Sequence, residues 1–113
     1  MKFKTTHHGT ISVIALEGSL MGGPDATELN NKVHDLIKGG KKHVVVDLGG
    51  LEFMNSSGLG GLIGSASALK GAGGRLLLAG ASKKILDIIR ITRLSPLLET
   101  YPSMESAIAE LKK

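Results

Sequence analysis

Apolar positions along this chain follow two periods, and the changes of period divide it into elements. Phe3 to His8 is polar and alternating and stops at Gly9, which suits an edge strand. Ile11 to Leu16 is a second strand, so a hairpin around Gly9-Thr10 joins the two. Gly18 to Gly23 reads as a loop, and Pro24 falls at a first helical position. Ala26, Leu29, Val33, Leu36 and Ile37 then recur at three- and four-residue steps, one stripe of a helix that stops at Gly39-Gly40. Val44-Val45-Val46 is a continuous β-branched run, the pattern of a central strand covered on both faces. That strand is predicted over His43 to Leu48, with a short apolar connection from Gly49 to Met54.

A second helix carries Leu59, Leu62, Ile63, Ala66 and Leu69 and ends near Gly71. Gly58, Gly60, Gly61 and Gly64 interrupt it, each at a cost of about 0.5–1 kcal/mol against alanine. Close approach of another backbone is the expected reason. Arg75 to Ala79 reads as a buried strand, and Ser82 as the cap of a third helix with Ile85, Ile88, Ile89 and Leu94 as its apolar set. Leu97 to Thr100 suits a short last strand. Ser103 caps a final helix bearing Met104, Ala107, Ile108 and Leu111, and Ser106 rather than Glu105 stands at the reciprocal capping-box position. The order is ββαβαβαβα. Strand–helix alternation after the hairpin predicts one α/β domain over residues 1–113, with a mainly parallel, mixed sheet.

Composition narrows the chemistry. Of the 113 residues, 42% are hydrophobic but only 3% aromatic, so the core must be aliphatic. Absence of cysteine excludes disulfides, a thiolate nucleophile and a zinc ribbon. The net charge of +4 is spread over isolated lysine pairs, and base-stacking aromatics are scarce, which argues against nucleic-acid binding. No apolar run approaches the roughly 20 residues that span a bilayer, and Met1 to Thr6 does not resemble a signal peptide. A soluble, cytoplasmic protein without membrane insertion is expected.

Candidate chemistry concentrates at Asn55-Ser56-Ser57-Gly58, where the central strand hands over to the second helix. Two hydroxyls stand at what should be a first helical turn, a position that suits a cap and tolerates added negative charge. Ser56 could be a cap, a nucleophile or a site of phosphorylation. The nucleophile-elbow pattern G-x-S-x-G is missing, and none of His7, His8, His34 and His43 lies in a late loop. His7 and His8 point to opposite faces of a strand and cannot share a metal. The glycines at 18–23 and 58–61 lack the G-K-S/T of a phosphate-binding loop. No catalytic residue, cofactor or metal is expected.

The stretch Asp47-Leu48-x-x-Leu51-x-Phe53-Met54-Asn55-Ser56-Ser57-Gly58-Leu59-Gly60 resembles the signature of STAS domains, specifically of bacterial anti-sigma factor antagonists. The resemblance extends to the glycine-rich loop before the first helix, to Gly73–Ala79 and to Lys84-x-x-Asp87 through Leu94. It implies partner switching. The unphosphorylated antagonist binds an anti-sigma factor that is also a serine kinase with an ATPase-like fold, and so frees the sigma factor. Phosphorylation at the position of Ser56 releases that partner, and a metal-dependent serine phosphatase resets the cycle. The implied partner-binding residues are Ser19, Leu20, Met21, Asn55, Ser56, Ser57, Gly58, Leu59 and Gly60. Two departures stand out: Asn55 replaces a usual Asp, and Gly18-Ser19-Leu20-Met21 replaces Gly-Glu-Leu-Asp. Both remove negative charge from the implied docking face. The alternative is a STAS subunit of a larger assembly, such as a lipid-transport ATPase or a stress-sensing complex.

Overall fold

Most period changes in the sequence become element boundaries in the computed structural model, which describes residues 1–113 apart from the side chain of Ser95. The strands are β1 (Lys2–His8), β2 (Ile11–Leu20), β3 (His43–Met54), β4 (Arg75–Ala79) and β5 (Glu99–Tyr101). The helices are α1 (Pro24–Lys38), α2 (Ser56–Gly71), α3 (Lys83–Ile91) and α4 (Met104–Leu111), so the order ββαβαβαβα holds. The sheet order is β1-β2-β3-β4-β5. β1 runs antiparallel to β2 and every other pairing is parallel. Successive crossovers step in one direction, and their common hand puts α1, α2 and α3 on one face of the sheet. Ile14, Val44, Val46, Leu62 and Ile85 meet in the core on that side. On the other face, Val13, Val45 and Leu77 are covered by Ala107 and its neighbours on α4.

Two strands run further than their sequence pattern indicates. β3 does not stop at Leu48; it continues to Met54, and β2 continues through the expected loop to Leu20. Inward-facing residues of β3 are Val44, Val46, Leu48, Leu51 and Met54, spaced by two, two, three and three. Each step of three coincides with a register shift against β2, where β3 carries one residue more than its partner. Such bulges break the period-two signal and bend the strand. The segment from Gly49 to Met54 is therefore strand that reads like a connection.

Helix ends follow the expected glycines and serines. After α1, the amide of Gly40 donates to Ile37 (3.0 Å) and that of Lys41 to Leu36 (2.8 Å). After α2, Gly73 donates to Lys70 (3.1 Å) and Gly74 to Leu69 (2.7 Å). Both are Schellman closures, with Gly40 (φ 80°) and Gly73 (φ 85°) in the left-handed conformation that glycine adopts without strain. Ser82 Oγ accepts from the amide of Ile85 at 3.3 Å. Ser103 and Ser106 cap each other's amides at 3.1 and 3.2 Å. The last strand starts later than expected, because Ser95–Leu97 forms a single 3-10 turn first, and Leu94 lies beyond α3.

At the edge of the sheet, Arg75 on β4 pairs with Glu99 on β5 and, at 3.3 Å, with Glu110 on α4. Lys113 lies 3.0 Å from Glu110. Its hydrogen bond, followed by that of Arg75, holds the Glu110 carboxyl below its ordinary 4.5. A carboxylate with a lowered folded-state pKa stabilises the fold above its unfolded value and ceases to do so as pH falls through the folded one. Glu110→Gln should accordingly reduce the urea midpoint at neutral pH, and the gap from the unsubstituted chain should close as acidification below 4.5 protonates the folded carboxylate.

Candidate functional site

Beyond the ends of β1 and β4, residues 18–20 of β2 and 51–54 of β3 continue as a two-stranded ribbon. The chain leaves that ribbon at Met54 and turns directly into α2. Asn55 makes the turn: its amide donates to the carbonyl of Leu20 (3.3 Å), and its Oδ1 accepts from the amide of Gly58 (2.7 Å). Its backbone is extended (φ −96°, ψ 179°), as a capping residue requires. The cap of α2 is thus Asn55 and not Ser56, which already lies in the helix at its first position. A serine with helical backbone there cannot fold its oxygen over the third amide.

This division of labour leaves Ser56 free. Its side chain is exposed and makes no hydrogen bond among the described residues. Ser57 is exposed too, but one side of it is taken. A methyl group placed on Gly22 would stand 2.3 Å from Ser57 Cβ, so the β2–α1 loop packs on that residue. The loop is held in place by Asp25, whose Oδ2 accepts from the amide of Met21 at 3.3 Å. The amides of Ser56 and Ser57 have no acceptor among the described residues, and the first turn of α2 carries no acidic side chain. The turn therefore offers one unencumbered hydroxyl beside open donors at the positive end of a helix.

Glycine explains how α2 reaches this position. A methyl on Gly58 would lie 2.1 Å from the carbonyl oxygen of Leu20, and one on Gly61 would lie 2.8 Å from Ala26 Cβ. These two glycines mark close approaches to β2 and α1. Gly60 faces open space and Gly64 is in ordinary contact, so only half of the expected set is required by packing. Asn30 completes the α1–α2 seam, donating to Ala26 (2.8 Å) and accepting from the buried Ser65 (3.2 Å). Neither residue carries a sequence signal, since each reads as an ordinary polar position of a helix.

Of the nine expected partner-binding residues, the structure gathers all at one end of the sheet but does not expose all of them. Leu20 and Leu59 are fully buried and Gly58 is buried, so their side chains lie beneath the surface rather than on it. Ser19 and Asn55 are half-buried; Met21, Ser56, Ser57 and Gly60 are exposed. Two neighbours were not among the expected site residues. Phe53 is 38% exposed on the ribbon, and Lys84 of α3 sits 5.5 Å from the centroid of its ring. No histidine hydrogen-bonds a serine of the turn; the one Ser–His hydrogen bond among the described residues, His7 with buried Ser12 at 3.0 Å, lies in the β1–β2 hairpin. Among the described residues no three His, Asp or Glu side chains converge as a metal site.

Local energetics can be checked by substitution. Asn55→Ala should cost about 1 kcal/mol through the lost cap, whereas Asn55→Asp should keep stability. Gly58→Ala should cost more, about 2–3 kcal/mol, because the obstacle is backbone and cannot rotate away. Denaturant titrations of the three variants provide the comparison.

Known proteins share this fold. The STAS domain family matches residues 2–107. An anti-sigma F factor antagonist of Paenibacillus polymyxa is 22% identical, over 99% of this chain and 96% of its own length. Among solved structures, the anti-sigma factor antagonist SpoIIAA superposes in its unphosphorylated form with a TM-score of 0.75 (22% identity, 98% of each chain). The Bacillus cell fate determinant SpoIIAA in its phosphorylated form gives 0.72 (24% identity, 97% of this chain and 99% of that one). A sulfate transporter family protein from Wolinella succinogenes gives 0.74 at 12% identity, over 95% of this chain and 88% of that one. With the family matched over nearly its whole length and the five-stranded sheet and strand–turn–helix site in place, the chain belongs to the STAS domain family.

Proposed function

We propose that this chain is a non-enzymatic anti-sigma factor antagonist. In its unphosphorylated form it binds an anti-sigma factor that is also a serine kinase, and phosphorylation of Ser56 ends the binding. The observation that carries this reading is the unused hydroxyl of Ser56 at the first position of α2, exposed while Asn55 does the capping. The names borne by the Paenibacillus relative and by SpoIIAA support the same class of function. A cytoplasmic location and reversal by a metal-dependent serine phosphatase belong to this reading.

The mechanism follows from charge. A phosphate on Ser56 adds about −1.5 to −2 charge at neutral pH. Within the protein that charge meets the unpaired amides of the first turn and the positive end of α2, both favourable. Against a partner seated on the turn, the same charge must be desolvated or repelled. Leaving a charge buried and unpaired at an interface costs about 2–5 kcal/mol, which is roughly 30-fold or more in affinity. The protein itself need not rearrange. Ser57 is the poorer acceptor because the Gly22 loop flanks it.

Likeness to the sulfate transporter family protein supports a second reading, a STAS subunit of a larger assembly, which makes no use of a free Ser56 hydroxyl. Purified anti-sigma factor kinases from the same genome, incubated singly with ATP and this chain, separate the two. Intact mass should rise by one phosphate in the unsubstituted chain and in Ser57→Ala but not in Ser56→Ala, and the phosphorylated form should bind the kinase at least ~30-fold more weakly. No phosphate from any kinase, with stable copurification of a transporter ATPase, would overturn the switch in favour of the subunit.

A further inference from the structure

The docking face carries a charge pattern that the fold itself does not call for. α3 opens with Lys83 and Lys84, both exposed, and has no acidic residue in its first turn. Cations at a helix N-terminus oppose the dipole, so local stability argues against them. Neither lysine is within salt-bridge distance of a carboxylate among the described residues, while Arg90 of the same helix pairs with Asp87 at 3.7 Å. Residues that break a local rule without compensation mark functional positions more often than chance would. Lys84 is also placed, its ammonium over the face of Phe53.

A second exposed apolar side chain, Met21, lies at the same end of the sheet as Phe53. On the ribbon, Leu20 pairs with Met54 and both point into the core, whereas Phe53 pairs with Ser19 on the outer side. Met21 follows the end of β2, in the loop whose Gly22 packs on Ser57. Met21 and Phe53 are 40% and 38% exposed, two large apolar side chains, Phe53 beside Lys84 and three positions before Ser56, Met21 next to the Gly22 that packs on Ser57. The cap at this end, Asn55, is neutral. An exposed apolar pair with an unpaired cation is complementary to an apolar socket with an acidic rim.

We propose that the partner docks here by presenting an acidic side chain to Lys84 and an apolar socket to Phe53 and Met21. This rests on the function proposed above and specifies the chemistry of its partner. It also accounts for the sign of the switch, since a phosphate on Ser56 would meet an acidic surface and add repulsion to desolvation. The recognition is that of a folded protein, because Phe53 and Met21 need a shaped cavity to become buried.

The kinase that phosphorylates Ser56 serves as the probe, titrated calorimetrically against the unsubstituted chain and four variants. Affinity should fall by about tenfold for Lys84→Ala and Phe53→Ala and by about 100-fold for Lys84→Glu, with weaker binding at high salt. Lys70→Ala, at the far end of α2, should bind normally. Lys84→Glu puts an acid where the α3 dipole favours one, so it should melt no lower than the unsubstituted chain. That separates lost docking from lost folding. If the unsubstituted chain binds and Lys84→Glu binds equally well, the inference is wrong while the function stands. If no kinase binds the unsubstituted chain, the function falls and the inference with it. Capture of the chain by phosphatidylglycerol vesicles in place of the kinase, abolished by Lys84→Glu, would overturn the acidic protein partner in favour of a lipid surface.

Discussion

Everything at the functional end depends on how closely the start of α2 approaches the end of β2. The Leu20 carbonyl accepts from Asn55, and Gly58 packs against that same carbonyl so tightly that no side chain fits between them. Beneath the contact, Leu20, Met54, Leu59 and Leu62 are fully buried. The first turn of α2 is therefore fixed from below by core packing and from the side by backbone. A turn held in this way keeps the Ser56 hydroxyl in one place, which a modifying enzyme and a docking partner would both require.

Much of this was legible in the chain. Helices α1 and α2, the hairpin, the central position of β3 and the glycine stops all follow from periodicity and punctuation, because each is a local property. What was lost is equally physical. Two bulges in β3 replace a spacing of two by a spacing of three, and the apolar residues Leu51 and Met54 then look like a connection. Ser19 and Gly18 look like loop residues because the ribbon they extend is solvent-exposed on its outer side. Whether Ser56 was the cap stayed open in the sequence, since Asn and Ser are both good caps and only the backbone conformation distinguishes Asn55 as the cap.

The site shows the same limit. Asn55-Ser56-Ser57-Gly58 marks the strand–helix turn of the candidate site in the sequence, but not which side chains reach the surface. Leu20 and Leu59 belong to the segments that form the turn yet point inward. Phe53 and Lys84 come together from β3 and α3, elements separated by all of α2 and β4, and no local pattern joins them. The one sequence trace of that contact is the lysine pair at the wrong end of a helix, visible only once Ser82 is accepted as the cap.

Asn55 bears on where the free energy of a switch would reside. An aspartate cap would place a full negative charge at the helix end and offset the dipole before any modification. With a neutral cap, the unpaired amides of Ser56 and Ser57 keep their attraction for an anion. A phosphate at Ser56 would then be accommodated by the domain at little or no cost to its own stability. The fold is held by the aliphatic core and the Leu20 contact, neither of which involves the Ser56 side chain. Stability and signal would thereby be separated: the energetic penalty of modification would fall on whatever surface covers the turn, and a partner could be released without loosening the domain that releases it.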